Sequence, residues 1–182
     1  MYPRRTEPNP APIDFGACLR VMHVRAREPA DRDAVARFLA RWHSDRVARR
    51  GALETPLDHP ALVAEEGGRL LGVLTYVVAG PRCEVLTLHA DERGRGVGTA
   101  LLAAVERTAA AAGCTTLWLI TTNDNVEALR FYQRRGFRLA RLHAGAVDDS
   151  RERLKPELPR TGKHGIPIRD EIELEKPVSS AA

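Results

Sequence analysis

The sequence predicts an α/β fold, a single domain with a mixed β-sheet and helices on its faces. Three apolar segments in the middle of the chain are separated only by glycine-containing turns, which predicts an antiparallel meander. After the meander, helical and strand spacing of the apolar residues alternate, as in chains whose helices and strands alternate. The chain has 182 residues, of which 43% are hydrophobic and 29% charged, and this suits one globular domain.

The first half of the chain is predicted to contain four strands and two helices. Residues 18–25 alternate apolar and polar side chains, as a half-buried strand does. A helix begins after Asp31, and we expect its apolar residues to be buried; these are Val35, Phe38, Leu39 and Trp42. Residues 44–50 predict a short second helix that ends at Gly51. The meander strands are 61–66, 69–79 and 83–90, and the first two form a hairpin across Gly67-Gly68.

The second half of the chain predicts two further helices, at 98–112 and 125–135, each followed by the glycine typical of a helix C-terminus. A buried strand that contains Trp118 lies between them, and another strand covers 137–143. Residues 145–167 form a long connection. The last strand alternates apolar and charged residues, and its charged row predicts an exposed edge strand; this row is Arg169, Glu171, Glu173 and Glu175.

Composition also predicts the domain limits and the cellular setting. Prolines and few apolar side chains in residues 1–16 predict a disordered arm, residues 17–176 form the domain, and residues 177–182 form a tail. The three cysteines are widely spaced, so neither a disulfide framework nor a metal site is expected. No segment resembles a signal peptide or a membrane span, and we therefore expect a cytoplasmic protein with no membrane partner.

The charge of the chain gives little support to a nucleic-acid partner. The formal net charge is +4, from 28 basic and 24 acidic residues, which is a small excess. Arginines in the first fifty residues alternate with the apolar residues of the first helix, as on the solvent side of a helix. Nucleic-acid binding is therefore not expected.

A glycine-rich loop carries the strongest chemical signal. Gly94, Gly96 and Gly98 lie between an apolar strand and the start of a helix. Glycine lets the backbone approach a ligand, and the unpaired amides and positive dipole end of a helix attract anions. Arg93 and Arg95 add positive charge, which suits a diphosphate. The P-loop motif is absent, and the dinucleotide fingerprint fails because its third glycine is missing.

Arg93-x-x-Gly96-x-Gly98, between a strand and a helix, resembles the acyl-CoA pyrophosphate loop of the GNAT superfamily of N-acetyltransferases. A second segment is similar to that family's other signature; it is Asn125-x-x-Ala128-x-x-Phe131-Tyr132-x-x-x-Gly136-Phe137. The resemblance implies a GNAT-like central sheet of about seven strands, splayed near its middle and flanked by helices. It also implies acetyl-CoA as the co-substrate, without a metal ion.

The resemblance implies roles for residues of this sequence. The backbone of Leu86, Thr87 and Leu88 would bind the pantetheine arm and the acetyl carbonyl. Loop amides would hold the pyrophosphate beside Arg93; they belong to Gly94, Arg95, Gly96, Val97, Gly98 and Thr99. Asn125 would contact the pantetheine, while Phe131 and Tyr132 would line the thioester. We expect Tyr132 to be the general acid, because the expelled thiolate needs a proton and a phenol near sulfur can donate one.

The general base is less clearly marked. Glu84, on the third meander strand, is the leading candidate, and His89 at the end of that strand is the second. Glu84 equally suits a solvated strand charge or an ion-pair partner of Arg82, and His89 equally suits a surface position. Asp124 is expected to cap the helix that follows it.

The sequence thus predicts an enzyme that transfers acetyl from acetyl-CoA directly to a primary amine of a small molecule in a ternary complex. Two alternatives stay open, a non-catalytic acyl-CoA-binding regulator and a protein-amine acetyltransferase. Ile120 counts against a ribosomal-protein N-terminal acetylase, since some peptide-amine acetylating relatives place a carboxylate there. The charged connection 145–167 suits recognition of a zwitterionic amine, a solvated flap or a homodimer contact.

Overall fold

The computed structural model of the chain describes residues 21–92 and 94–179. Within them the strands are β1 (His23–Ala26), β2 (Val47–Arg49), β3 (Ala52–Glu54), β4 (Ala61–Glu66), β5 (Arg69–Ala79), β6 (Arg82–Ala90), β7 (Thr116–Thr122), β8 (Arg138–His143) and β9 (Glu171–Pro177). The α-helices of the same part are α1 (Arg32–Arg41), α2 (Val97–Ala111), α3 (Val126–Gln133) and α4 (Ala146–Arg153). A mixed seven-stranded sheet has the order β1-β4-β5-β6-β7-β9-β8, and β2 pairs with β3. The predicted fold class is confirmed.

Helices bury apolar clusters on both faces of this sheet. The face covered by α2 and α3 has a cluster that includes Leu71, Leu74, Val85, Leu101, Val105, Leu117 and Tyr132. The face covered by α1 has a cluster of Val35, Phe38, Leu39, Val63 and Val73. Burying one such side chain stabilises a fold by roughly 1.5–3 kcal/mol, so the periodic apolar residues determine which face each helix covers.

The meander β4-β5-β6 forms as predicted, and β6 contains a bulge. Thr75 pairs with Thr87, whereas the next residue Tyr76 pairs with Val85, so Leu86 is the extra residue. A bulge interrupts the regular pairing and redirects the strand. The bulge therefore lies where the resemblance assigns backbone contacts to the acetyl donor.

The central sheet splits between β6 and β7. The two strands are parallel neighbours from Arg82↔Thr116 to Val85↔Leu119, and their pairing ends there. The rest of β6, from Leu86 onward, diverges from β7. This confirms the splayed sheet that the resemblance implies.

The predicted short helix at 44–50 is wrong. Residues 47–49 form β2, which turns at Arg50 and Gly51 into β3. Both turn residues have positive φ angles, 49° and 75°. Gly51 therefore serves a hairpin turn instead of a helix end, and the hairpin is anchored by the amide of Arg50, which donates to Glu171 Oε2 at 3.0 Å.

Trp42 is not a core residue, whereas Trp118 is. Helix α1 ends one residue before Trp42, which is 42% exposed and stacks on His89 with a ring separation of 5.2 Å. Trp118 is 7% exposed, as predicted. The helical spacing of apolar residues continues to Trp42, beyond the C-terminus of α1, so the spacing alone does not show where the helix ends.

The last strand is not an edge strand. β9 lies between β7 and β8 and pairs antiparallel with both. Glu171 and Glu173 are 2% and 6% exposed. Arg82 forms an ion pair with Glu173 at 2.8 Å, and His143 Nε2 lies 3.3 Å from the same carboxylate, so Glu171 and Glu173 face a polar interior, whereas Arg169 is exposed. Alternation of apolar and charged residues does not distinguish an edge strand from a strand between two others.

The connection 145–167 is partly helical, because it contains α4. The predicted arm at 1–16, the start of the first predicted strand and residues 180–182 of the predicted tail lie outside the described residues, while Pro177, the first residue of that tail, ends β9. Among the helices that the structure describes, none combines the length and the apolar character needed to cross a bilayer.

Candidate active site

The candidate site lies at the split between β6 and β7. The glycine-rich loop joins β6 to α2, on the face of the sheet that also carries α3. A cavity opens on the opposite face, beneath α4 and the β2-β3 hairpin. The glycine-rich loop and a separate cavity therefore lie on opposite faces of the sheet near the split.

The loop has the geometry of an anion cradle. Gly94 and Gly96 have φ angles of 84° and 79°, which glycine adopts without strain. A Cβ added at either position would meet no atom within 4 Å, so the space beside the loop is open. The first bond of the α2 turn runs from Ala100 N to Gly96 O, so the amides of residues 97–99 precede the helical ladder. These features suit a phosphate group.

The start of α2 is held against α3. A Cβ at Gly98 would lie 3.2 Å from Phe131 Cζ, so only glycine fits without a shift of the ring. The Arg135 guanidinium lies 3.6 Å from the centroid of the Phe131 ring and donates to Thr99 Oγ1 at 2.5 and 3.1 Å. These contacts bring the second sequence motif beside the loop.

Tyr132 lies inside this junction. It is 8% exposed and makes edge contacts with Phe131 and Phe137, at ring separations of 5.1 and 5.4 Å. Its hydroxyl forms no hydrogen bond with any residue that the structure describes. Burial raises the pKa of Tyr132 above its ordinary value, so the phenol stays protonated at neutral pH.

The remaining residues assigned to the donor side have partners of their own. Arg95 pairs with Glu66 and Glu92 at 2.8 and 2.9 Å, which balances its charge. Arg93 lies outside the described residues. Asn125 is the N-cap of α3, where its Oδ1 accepts from Ala128 N at 3.3 Å. The predicted cap at Asp124 is therefore wrong.

The cavity on the opposite face has a volume of about 270 Å³. Its charged lining consists of Glu84, Asp124, Glu171 and Arg49. Its apolar lining includes Leu86, Ile120, Val147, Leu158 and Ile168. We call it the acceptor-side cavity. Carboxyl groups are thus more numerous than guanidinium groups among the charged residues of this lining.

Glu84 is the carboxylate nearest the split along β6. It is 4% exposed, and burial raises its pKa to about 7, although the Arg49 guanidinium opposes this rise. Arg49 Nε lies 2.7 Å from Glu84 Oε1, while Arg82 pairs with Glu173 instead. The structure thus excludes both the solvated Glu84 and the Glu84–Arg82 pair.

His89 also has a defined environment. Its Nε2 lies 2.8 Å from Ser44 Oγ, and Trp42 stacks on its ring. Burial lowers its pKa to about 4, so the imidazole is neutral near pH 7. His89 is therefore a partly buried residue at the end of β6 rather than a surface residue.

Residues 154–167 form a strap across the acceptor-side cavity. Arg151, 8% exposed, donates to the carbonyl groups of Leu158, Pro159 and Ile168 at 2.8–3.0 Å. Lys155 donates to the carbonyl group of Arg46 at 2.7 Å and thereby joins the strap to the residue that precedes β2. The basic residues of this connection that seemed available to a ligand are thus partly structural.

Sequence reasoning missed Arg49 and Glu171, which line the acceptor-side cavity. The sequence carries no local signal for them, because Arg49 and Glu171 lie far apart in the chain and only the fold brings them to one cavity. Among the described residues, no group of three or more His, Cys, Asp or Glu side chains is placed to hold a metal ion.

A family model described as "Acetyltransferase (GNAT) family" matches residues 25–137. Two Bacillus subtilis (strain 168) relatives, the uncharacterized proteins YdhI and YxbD, are 47% and 41% identical over 111 residues. Each match covers 61% of this chain and 69% of the relative.

Solved structures share the fold at low sequence identity. An IAA acetyltransferase from Bacillus cereus has a TM-score of 0.64 and 23% identity, over 86% of this chain and 99% of that one. A GNAT family acetyltransferase from Elizabethkingia anophelis with acetyl-CoA bound has a TM-score of 0.62 and 17% identity, over 86% and 97% of the two chains.

Proposed function

The chain belongs to the acetyltransferase (GNAT) family, and we propose that it transfers an acetyl group from acetyl-CoA directly to a primary amine of a small molecule. One observation carries the proposal: Glu84 and Tyr132 lie on opposite faces of the sheet at the β6/β7 split. A group suited to accept a proton faces the cavity, and a group suited to donate one lies beside the loop.

The donor side of the proposal rests on main-chain groups. The amides of residues 94–99 bind the pyrophosphate, and the bulged backbone of residues 86–88 binds the pantetheine and the acetyl carbonyl. Asn125 and Phe131 flank the arm. The open space beside Gly94 and Gly96 supports this assignment, as does the acetyl-CoA bound to the Elizabethkingia anophelis enzyme of the same fold.

The acceptor side rests on charge and protonation. The carboxylates of the acceptor-side cavity attract an ammonium group, and Glu84, with a pKa of about 7, accepts a proton from it. The neutral nitrogen then forms a bond to the acetyl carbon while a strand N–H near Leu88 stabilises the negative oxygen.

The carbon–sulfur bond breaks as the amide forms, and Tyr132 donates its proton to the leaving thiolate. The amide has two protons fewer than the ammonium: one passes through Glu84 to solvent, and the other replaces the proton that Tyr132 gives. General acid–base help of this kind accelerates a reaction by about 10²–10⁴-fold. No covalent intermediate on the protein is needed.

The size of the acceptor-side cavity and the strap over it favour a small acceptor over a protein amine. The test is thiol release from acetyl-CoA with a panel of small primary amines, corrected for hydrolysis without amine. We expect turnover by the wild type and a large loss of kcat in both Tyr132→Phe and Glu84→Gln. If the wild type binds CoA but acetylates no amine, the non-catalytic regulator is the better description.

A further inference from the structure

We propose that a second cavity, beside the acceptor-side cavity, binds an anionic group, a carboxylate or phosphate, carried by the acceptor amine. This inference rests on the proposed function. It narrows the acceptor to zwitterionic small molecules, such as amino acids or aminoalkyl phosphates.

The second cavity has a volume of about 470 Å³ and an excess of positive charge. Its charged lining consists of Arg50, Arg141, Arg153, His143 and Asp149. Asp149 pairs with Arg153 at 3.2 Å, which leaves the guanidinium groups of Arg50 and Arg141 without a carboxylate in the lining. We call it the basic cavity.

Arg141 has no anionic partner in the described part of the chain. It lies opposite Glu173 in the pairing of β8 with β9, and paired residues of adjacent strands project to the same side. The carboxylate of Glu173 is taken by Arg82 and His143, at 2.8 and 3.3 Å. No hydrogen bond or ion pair joins Arg141 to any described residue.

Arg50 is presented to the basic cavity by the hairpin turn. Its amide donates to Glu171, and its guanidinium lies 5.6 Å from the centroid of the Trp118 ring. No described carboxylate forms an ion pair with its side chain, although its charge acts at longer range to lower the pKa of Glu171 and Glu173. Two guanidinium groups with free donors at one cavity match the oxygen pairs of a carboxylate or phosphate.

The two cavities share a wall. Arg49 lines the acceptor-side cavity and Arg50 lines the basic cavity, and consecutive Cα atoms are about 3.8 Å apart. Helix α4 likewise contributes Ser150 to the first cavity and Asp149 to the second. The proposed acceptor spans the two adjacent cavities, with its ammonium group among the carboxylates and its anionic group near Arg50 and Arg141.

The test compares acceptors that differ only in the anionic group: amino acids against their amides, and phosphoethanolamine against ethanolamine. We expect a KM at least about 10-fold lower for the anionic member of a pair. Arg141→Gln should raise that KM by about 10–100-fold, with little change in kcat and no change for the uncharged member. Equal KM values within each pair would overturn the proposal.

Arg138→Gln is the matched control, because Arg138 is also exposed on β8 but does not line the basic cavity. An equal effect of both variants would indicate a general loss of surface charge and overturn the proposal.

Calorimetric titration with inorganic phosphate separates the anion site from the proposed acetyltransferase function. If no amine is acetylated, the proposed function fails, while phosphate binding that is lost in Arg141→Gln still supports an anion site. Phosphate binding without any acceptor discrimination would overturn the assignment to the acceptor.

Discussion

Arg49 Nε lies 2.7 Å from Glu84 Oε1 in the wall of the acceptor-side cavity. The N–H does not point at the oxygen, so the contact is an ion pair without a hydrogen bond. Burial raises the pKa of Glu84 to about 7, and the Arg49 charge keeps it from rising further. The pair therefore holds a buried carboxylate near the pH at which a base is most useful.

Glu84 should set the acidic limb of the pH profile. If Glu84 is the base, kcat/KM rises with pH through about 7, because only the ionised carboxylate accepts a proton. Glu84→Gln should lower kcat by about 10²–10⁴-fold and abolish this limb. Steady-state rates of the wild type and of Glu84→Gln from pH 5 to 9 measure this limb. An unchanged limb in the variant would assign the base elsewhere.

Arg49→Met should move the same limb to higher pH. The variant removes the cation that stabilises the ionised form of Glu84, so the pKa of Glu84 rises and more alkaline conditions are needed for activity. Arg32→Met is a suitable control, since Arg32 is an exposed partner of Asp58. A limb that stays in place, or moves to lower pH, would separate Arg49 from the titration of Glu84.

Tyr132→Phe should reduce kcat without weakening CoA binding or the fold. The hydroxyl makes no hydrogen bond within the described structure, so its removal leaves no partner unsatisfied. We expect a loss of about 10²–10⁴-fold in kcat, with an unchanged melting temperature. Tyr76→Phe is the control, because Tyr76 packs against the same apolar cluster away from the loop. A wild-type rate in Tyr132→Phe would exclude the phenol as the acid.

Gly96→Glu should abolish CoA binding, and Gly96→Ala should weaken it much less. Gly96 has a φ of 79°, so either substitution strains the backbone by about 1–2 kcal/mol. Only the glutamate adds a negative charge at the proposed phosphate position. Calorimetric titration with CoA compares the two. Equal affinities would show that the phosphates bind away from this loop.

Arg151→Met should loosen the strap. The variant removes donors to three carbonyl groups, and we expect the free energy of unfolding to fall by about 1–3 kcal/mol. The KM for the amine should rise more than the KM for acetyl-CoA. Arg107→Met, on the exposed side of α2, is the control. A change in the acetyl-CoA KM alone would contradict a role of the strap at the acceptor side.

Local signals predicted most of the fold. The Gly67-Gly68 turn, the apolar runs of the meander and the stripe of α2 act between near neighbours in the sequence, and the structure has these elements at almost the predicted bounds. The motif residues from Gly94 to Thr99 and from Asn125 to Phe137 also come together, because Gly98 and Phe131 are in contact. Their roles in binding and catalysis stay predictions.

The features that the sequence did not predict depend on contacts between residues that are far apart in the chain. Arg49 forms an ion pair with Glu84, and the amide of Arg50 bonds Glu171, so a segment with weak local preference becomes a hairpin. The burial of Glu171 depends on β9 lying between two strands, and alternating spacing does not report strand order. The charged residues of the acceptor-side cavity are placed by such long-range contacts, which explains why Arg49 and Glu171 were missed.

The position of β9 has a consequence for how the molecule is made. In the described sheet, β8 is held by β9 alone, although β8 precedes it in the chain. A ribosome must therefore complete residues 171–177 before β8 can dock, and contacts between such distant segments form slowly. Until then β7 exposes an unpaired edge, so the nascent chain passes through a period in which aggregation competes with folding.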